Sequence, residues 1–277
     1  MSDGFFIAEL PSALAVGDDV ALTGDEAFHA AKVRRIRLGE EVTITDGAGR
    51  GVVGPTVAVA PAEVRVRAER IVEAPAPFPT ITVVQALPKN DRALVAVDLL
   101  TEVGADRIVP WQAARSIPRW DAAKAERGQA KWATTAREAA KQARRWWIPE
   151  VAPLASTAQV AALLAGSVCP IVCHEAATIP LWGALGAARS IPPAEGTPDV
   201  PPTPGAASRP FGDAAIPEIV CVIGPEGGVS DEEREQFTSA GALLASLGPT
   251  VLRTSTAGSS AVTQLRLVLE IAAAFSD

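Results

Sequence analysis

The sequence lacks any long apolar run, although apolar residues make up 48 % of its 277 positions. A membrane-spanning helix needs about 20 consecutive apolar residues, so we expect none here. The first residues, 1–5, also lack the basic start and the apolar stretch of a secretory signal. We therefore expect a cytoplasmic protein with enough apolar material for a packed core.

Cysteine is scarce as well, with three residues in the chain, Cys169, Cys173 and Cys221. An odd number argues against a disulfide framework, particularly in a chain without a secretory signal. Cys169 and Cys173 lie in one apolar stretch and no second pair exists, which is not the pattern of a zinc site. We expect no disulfide and no metal, and we interpret the cysteines as small buried residues.

Basic residues are outnumbered overall, since the net charge is −7, but they are concentrated in two places. Residues 32–37 contain four basic residues and no acidic one, and residues 111–147 contain nine Lys or Arg against three Asp or Glu. The second segment also holds five of the six tryptophans: Trp111, Trp120, Trp132, Trp146 and Trp147. Because basic groups bind phosphates and aromatic rings stack on bases, we expect this segment to contact RNA. The alternative is a solvated helix face with ordinary charges.

The hydrophobic pattern changes between two parts of the chain, which a proline-rich stretch at 73–79 separates. Before it, short runs of alternating Val, Ile and Thr, with one helix at 25–37, predict a small β-barrel domain over residues 1–73. After it, strands alternate with helices, which predicts an α/β domain over residues 80–277 with a mostly parallel sheet covered on both faces. Residues 183–217 are rich in Pro, Ala, Gly and Ser, and we interpret them as a flexible surface insertion.

Two loops rich in glycine or in small polar residues follow strands in the second part. Residues 218–230 run from a strand through a glycine-rich turn to a capped helix, and residues 247–258 again join a strand to a helix. Open α/β sheets bind ligands at the carboxyl ends of their strands, so we expect a ligand at these loops.

The glycines at 49–54 also match the sequence pattern of a dinucleotide-binding loop. They lie between two strand-like runs with no helix after them, which favours a hairpin turn.

Together the two loops resemble the signature of the SPOUT RNA methyltransferases. More narrowly, they resemble the RsmE family, which methylates N3 of a uridine in 16S ribosomal RNA. Other stretches resemble the family in order: His29 with residues 33–39, Lys89, residues 101–104 and 108–110, Arg115-Ser116, Trp132, residues 138–140, Gln142, Arg145, residues 148–149 and His174-Glu175. The sequence departs from the family at two places. The family usually has Glu at the position of Ser255 and a basic residue near the position of Leu99.

The resemblance implies a C-terminal trefoil knot that holds S-adenosylmethionine, a homodimer formed through the knotted domain, and a PUA-like N-terminal barrel that grips RNA. The implied partner is 16S ribosomal RNA of the small ribosomal subunit, methylated at uridine 1498. The implied cofactor-binding residues are His174, Glu175, Ile223, Gly224, Pro225, Glu226, Gly227, Gly228, Leu247, Gly248, Val251, Leu252, Thr254, Ser255, Thr256 and Ala257. The implied RNA-binding residues are Lys32, Arg34, Arg35, Arg37, Lys89, Arg115, Gln142 and Arg144.

The implied reaction indicates which side chains carry the chemistry. The methyl sulfonium is already activated, so the enzyme mainly aligns the reactants. Uracil N3 must lose a proton and lies on the Watson–Crick edge, so the base must be unpaired and its developing anion stabilised. Arg253 and Arg145 are the candidates for stabilising the anion or its phosphate. Glu138, on one helix face with Gln142, is the candidate proton acceptor, with a helix salt bridge as the alternative and His174 as a rival base.

Three other functions stay open. A non-catalytic RNA-binding ribosome-assembly factor would keep the fold without binding the cofactor. A sister SPOUT enzyme that methylates ribose 2′-oxygens would share the glycine loop, but it carries an Asn-rich serine motif where this sequence has residues 252–257. A generic nucleotide-binding domain leaves the N-terminal barrel and the aromatic and basic segment unexplained.

Overall fold

The structure is a computed structural model that describes residues 4–89, 92–188 and 217–274. The chain divides into two compact units, residues 1–77 with 137–148 and residues 78–136 with 149–277. The change after Pro77 falls inside the proline-rich stretch. The grouping of residues 137–148 with the first unit differs from the predicted division, because a helical pattern indicates where a helix is but not what each part of it packs against.

Six strands build the first unit: β1 (Gly4–Ile7), β2 (Asp19–Thr23), β3 (Glu41–Thr45), β4 (Arg50–Ala60), β5 (Glu63–Arg67) and β6 (Arg70–Glu73). They pair in the order β1-β3-β4-β5-β2, and β6 pairs with β4. The long strand β4 pairs with β3 and β6 through its first half and with β5 through its second half, so the sheet curls. Val64 and Val66 face the core while Arg65 and Arg67 are exposed, which is the two-residue period of a strand.

The helix predicted at 25–37 is shorter than expected and irregular. Helix α1 spans Gly24–Phe28 and continues into a π-helical turn at His29–Val33. Arg35 then takes a left-handed conformation with φ of 55°, and a right-handed helix cannot continue through such a residue. The basic residues 34–37 therefore lie past the end of the helix rather than along it.

Strands and helices alternate through the second unit. The strands are β7 (Thr80–Ala86), β8 (Arg107–Trp111), β9 (Glu150–Val151), β10 (Cys169–Cys173), β11 (Glu218–Ile223) and β12 (Leu243–Ala245). The helices are α2 (Arg92–Glu102), α3 (Ala122–Gln142), α4 (Thr157–Ala165), α5 (Leu181–Ala188), α6 (Asp231–Ser239) and α7 (Thr254–Ala274), and α3 ends among the residues of the first unit. The strands pair in parallel in the order β12-β10-β11-β7-β8-β9, which confirms the predicted α/β fold.

The central strands of this sheet are buried on both faces. Residues 219–223 of β11 are all buried, and so are residues 81–86 of β7, which explains why both strands are nearly continuous apolar runs. One apolar core lies under α2, α5 and α7, and a second lies under α4 and α6. Among the described helices, none is long and apolar enough to cross a membrane.

Helix α5 lies where the sequence predicted the start of a flexible insertion at 183–217. Leu181, Ala184 and Leu185 are at most 2 % exposed and join the core, so this part of the prediction was wrong. Gly183 and Gly186, next to these positions, lower the apolar content of the stretch and make its helical period harder to detect. Residues 189–216, which make up most of the predicted insertion, lie outside the described residues.

Some tryptophans of residues 111–147 are buried, although the sequence predicted that this segment contacts RNA. Trp111 and Trp132 are 0 % and 1 % exposed. A ring without exposed surface cannot stack on a base, so the expected RNA contact was wrong for these two residues. Trp146 and Trp147 are half-buried within the first unit.

Candidate functional site

A cavity of about 350 Å³ opens at the carboxyl ends of β10, β11 and β12. Its lining residues are 173–175, 223–226, 228–229, 246–254 and Ala257. The carboxyl edge of a parallel sheet is where α/β proteins bind their ligands. Both predicted loops therefore meet at one cavity, although they are distant in sequence.

The first loop, residues 224–229, is a tight turn between β11 and α6. The Gly228 N–H donates to the Pro225 carbonyl at 2.9 Å, and Gly228 has a φ of 74°, which a residue with a side chain rarely adopts. A Cβ atom on Gly224 would lie 2.9 Å from Val229 Cγ2, so that position also has no room for a side chain. At these two glycines the loop presents only backbone to the cavity, which allows close approach of a ligand.

The second loop, residues 246–253, joins β12 to α7. Gln264 of α7 donates from Nε2 to the Leu247 carbonyl at 3.1 Å and so fixes the middle of the loop. The Arg253 carbonyl accepts two backbone hydrogen bonds from the first turn of α7. Arg253 lines the cavity and is exposed, so its guanidinium gives the cavity a permanent positive charge.

A third segment, residues 113–116 after β8, supports the first loop. Arg115 donates from Nη1 to the Gly227 carbonyl at 3.2 Å. The Ala114 N–H donates to Glu233 Oε1 at 2.7 Å. Glu233 is 4 % exposed, and its other carboxylate oxygen caps α6, as the predicted capping box requires. This carboxylate thus ties the segment after β8 to the start of α6, a long-range contact that sequence spacing does not indicate.

The sequence matches the family model of the RNA methyltransferase domain over residues 74–266 and that of the RNA methyltransferase PUA domain over residues 22–51. It is 37 % identical over 262 residues to the ribosomal RNA small subunit methyltransferase E of Mycobacterium bovis, covering 93 % of this chain and 88 % of that protein. The chain belongs to the ribosomal RNA small subunit methyltransferase E family. The Bacillus subtilis protein of that name is 26 % identical over 91 % of each chain.

Solved structures of related proteins share the architecture. A protein from Legionella pneumophila, described as a methyltransferase in complex with the cofactor SAM, superposes with a TM-score of 0.73 at 25 % identity, over 96 % of this chain and 98 % of that one. The ribosomal RNA small subunit methyltransferase E of Neisseria gonorrhoeae gives the same TM-score and coverage at 23 % identity. The second unit therefore has the SPOUT methyltransferase fold, and the first unit is a PUA-like domain with a curled sheet.

Most of the predicted cofactor-binding residues line the cavity of this methyltransferase E family member, and three do not. Gly227 accepts the hydrogen bond from Arg115, Ser255 is 6 % exposed in the first turn of α7, and Thr256 is exposed. Five further residues line the cavity: Cys173, Val229, Ser246, Pro249 and Thr250. Their position within the same loops, next to predicted residues, is the signal that would have identified them.

Two side chains at the carboxyl end of β10, His174 and Cys173, make hydrogen bonds. His174, which directly follows β10, accepts at Nδ1 a hydrogen bond from the Ala176 N–H at 3.1 Å, and this contact orients its ring. Cys173 Sγ lies 3.3 Å from Cys221 Sγ. The hydrogen bond with Cys173, together with burial, raises the pKa of the Cys221 thiol well above its ordinary value. Cys221 is therefore a neutral thiol at neutral pH.

Four predicted residues at or after the end of α3 group with the first unit and not with the unit that contains the cavity: Glu138, Gln142, Arg144 and Arg145. Glu138 Oε2 lies 2.9 Å from Lys141 Nζ, which also lies 3.1 Å from Glu26 Oε1. Burial by itself lowers the pKa of Lys141, but hydrogen bonds with the two carboxylates outweigh it and raise that pKa. Glu138 thus has the salt-bridge contact that the sequence left open as its alternative role.

The remaining predicted RNA-binding residues are all exposed: Lys32, Arg34, Arg35, Arg37, Lys89 and Arg115. The first four surround Ile36, which is 8 % exposed and packs into the core of the first unit. This apolar contact fixes the backbone from which the arginines extend. Within the described residues, no group of three or more His, Cys, Asp or Glu side chains is placed to hold a metal ion.

Proposed function

We propose that this protein transfers a methyl group from S-adenosylmethionine to N3 of a uridine in 16S ribosomal RNA, uridine 1498 by resemblance to its family. The observation that carries the proposal is the cavity formed by residues 224–229 and 246–253 in a chain that matches the RNA methyltransferase domain. The structures from Legionella pneumophila and Neisseria gonorrhoeae, both with bound S-adenosylmethionine, support the cofactor.

The cavity fits this cofactor in size and in lining. Its volume of about 350 Å³ is within the range of small-molecule sites, which begins near 300 Å³. The backbone at Gly224, Gly228, Leu247 and Leu252 lies along it and offers peptide groups for hydrogen bonds. Glu175 and Glu226 also line the cavity, and their negative charge complements a sulfonium and an ammonium group. The bound cofactor would supply an activated methyl group.

Arg253 is the proposed stabiliser of the uracil anion, and Arg145 is the second candidate for the anion or its phosphate. Arg253 has the stronger support because it lines the cavity, and a fixed cation next to a developing anion lowers the barrier to its formation. The uracil must leave its base pair before N3 reaches the methyl donor.

The proton on N3 needs an acceptor, and two carboxylates are candidates. Glu138 is the one that the sequence indicates, but its carboxylate already pairs with Lys141, and it groups with the first unit rather than with the unit that contains the cavity. Glu226 lines the cavity, and its Oε1 accepts a hydrogen bond from the Lys89 backbone N–H at 3.3 Å, which orients the carboxylate. We place Glu226 ahead of Glu138 for this reason.

RNA contact is proposed for the exposed basic residues 32–37 in the first unit and, with them, for Lys89, Arg115, Gln142 and Arg144. The match to the PUA domain over residues 22–51 includes the whole first group. Their charges would bind phosphates, so the affinity for RNA should fall steeply with salt.

A homodimer through the second unit and a trefoil knot belong to the same proposal, as does a cytoplasmic location. Leu267 and Ile271, one turn apart on α7, are 54 % and 48 % exposed, and Trp182 on α5 is 64 % exposed. The two helices that carry them pack against each other, and exposed apolar side chains that are grouped in this way are typical of interfaces. The sheet order supports the knot, because β12 pairs beside β10 and the chain then returns as α7 to pack against α2.

The test is transfer from labelled S-adenosylmethionine to small ribosomal subunits of a strain that lacks this gene, with the product identified by mass spectrometry of nucleosides. N3-methyluridine at one position is the expected product. A 2′-O-methylated nucleoside would move the protein to the sister activity. Absence of both transfer and calorimetric cofactor binding would instead favour the non-catalytic RNA-binding protein.

A further inference from the structure

A second cavity, of about 440 Å³, opens on the second unit. Its lining residues are 87–89, Ala93, 117–118 and Trp120. The hydrogen bond from the Lys89 N–H to Glu226 Oε1 joins the two walls, because Lys89 lines the second cavity and Glu226 lines the first. A lining residue of one cavity is therefore in direct contact with a lining residue of the other.

Trp120 forms one wall of the second cavity, and helix α3 packs against its ring. A Cβ atom on Gly128 of α3 would lie 2.5 Å from Trp120 Cη2, so the indole lies directly against the backbone of that helix. Glycine inside a helix is destabilising, and here it makes room for the ring. Trp120 also packs edge-on against Trp132, with ring centroids 5.7 Å apart.

The loop that carries Trp120 is held in one conformation by hydrogen bonds. The Trp120 N–H donates to Gln112 Oε1 at 3.0 Å, and Gln112 Nε2 donates to the Pro118 carbonyl at 2.9 Å. Ile117, between these contacts, is 64 % exposed and lines the cavity. The cavity therefore has rigid apolar walls before anything binds, which reduces the entropy that binding has to overcome.

The chemistry of these walls fits a nucleobase with its phosphate. An aromatic ring and an aliphatic side chain accept the flat face of any base, and the exposed Lys89 can hold the adjoining phosphate. Among the described residues that line the cavity there is no carboxylate or imidazole. A base whose N3 must lose its proton would find no acceptor on this wall, so the methylated base itself belongs at the first cavity.

We propose that the second cavity binds an unpaired nucleobase that flanks the methylated uridine in the RNA substrate. The base stacks on the wall formed by Trp120 and Ile117 while Lys89 holds its phosphate. The Lys89–Glu226 hydrogen bond then sets the spacing between the flanking base and the methyl donor. The identity of the RNA rests on the proposed function, whereas the binding of a base does not depend on catalysis.

The test fills the cavity without touching its rigid wall. Ala93→Leu adds volume inside the cavity, and Val95→Leu enlarges a residue of the same helix that is 49 % exposed and outside the lining. Lys89→Gln removes the phosphate contact. Methyl transfer to small ribosomal subunits gives kcat and KM, cofactor binding is measured by calorimetry, and thermal unfolding confirms that each variant is folded.

We expect Ala93→Leu to raise KM for the subunits about 5- to 100-fold, the effect of losing one base–aromatic stack, with kcat within about twofold. Lys89→Gln should raise KM less and weaken its salt dependence. Val95→Leu and all cofactor affinities should be unchanged. An unchanged KM in Ala93→Leu, an equal rise in Val95→Leu, or a fall in kcat alone overturns the proposal.

Failure of the proposed function is distinguishable from failure of this inference. If the wild-type protein transfers no methyl group, the function fails, and filter binding of small subunits without cofactor decides the inference. Weaker binding by Ala93→Leu but not by Val95→Leu supports the base site, and equal binding by all three proteins overturns it.

Discussion

The strand-end cavity and residues 111–147 both stand out in the sequence as binding regions, yet the structure uses them differently. Residues 224–229 and 246–253 meet at one cavity, while Trp111 and Trp132 fill the interior. Glycine and small polar residues contribute little to a core, so their concentration at strand ends indicates a ligand. Tryptophan serves cores and surfaces equally well, so a cluster of tryptophans indicates nucleic acid only where the rings are exposed.

The largest effect is expected from Trp132, which tests whether the tryptophans of residues 111–147 serve packing rather than RNA binding. Trp132→Ala removes a ring that is 1 % exposed, and the cavity left behind should lower the free energy of unfolding by about 3–5 kcal/mol. Urea unfolding measures it, with Phe28→Ala as the control, because Phe28 is 55 % exposed and its loss should change stability by less than about 0.5 kcal/mol. Unchanged stability together with lost RNA binding would restore the stacking interpretation of Trp132.

Arg253 tests whether the strand-end cavity is the site of methyl transfer. Arg253→Ala should lower kcat for methyl transfer about 100- to 1,000-fold, because it removes the cation next to the developing uracil anion. The cofactor Kd, measured by calorimetry, should stay within about threefold. The proposed cofactor contacts are made by the backbone of residues 224–229 and 246–253, which does not need the Arg253 side chain. Arg234→Ala, which breaks an exposed ion pair with Asp231 on α6, is the control and should keep full activity. A weakened cofactor Kd with normal kcat would make Arg253 a cofactor ligand.

The sequence predicts those features that depend on local periodicity and on local chemistry. The parallel sheet, the Ser230 cap of α6 and the two loops at the cavity belong to this class. Features that depend on long-range packing are missed. Glu233 bridges to Ala114 from more than a hundred positions away. Residues 137–148, which include the end of α3 and the turn after it, group with the first unit. The break at Arg35 is missed because nothing but its backbone conformation distinguishes it from the arginines around it.

Two carboxylates compete for the role of proton acceptor, Glu226 at the strand-end cavity and Glu138 in residues 111–147. Glu226→Gln should slow methyl transfer about 100-fold or more, the usual loss of a general base, and should flatten the dependence of kcat on pH. Glu138→Gln, the matched change in the other region, should slow it less than about tenfold, because Lys141 already holds that carboxylate as its partner. Rates are measured at saturating subunits over a range of pH. The reverse order would assign the proton to Glu138.

The smallest effect concerns Arg144, an exposed residue at the end of α3 with φ of 53°. Its N–H donates to the Lys141 carbonyl at 3.2 Å, and the Arg145 N–H donates to the Ala140 carbonyl at 2.8 Å. This pattern of helix termination usually has glycine in the left-handed position, where a side chain costs about 1 kcal/mol or more. An arginine kept there at such a cost indicates a role for its charge, and phosphate binding is the role we propose.

Arg144→Gly and Arg144→Ala separate the charge from the backbone conformation. Both should weaken RNA binding equally and reduce the slope of log affinity against log salt by about 1, because both remove one phosphate contact. Only the glycine variant relieves the left-handed strain, so urea unfolding should find it about 1 kcal/mol more stable than the alanine variant. If the two variants differ in RNA affinity but not in stability, Arg144 would act by shaping the end of α3 rather than through its charge. The segment at residues 111–147 would then contribute to RNA binding through the conformation of its backbone.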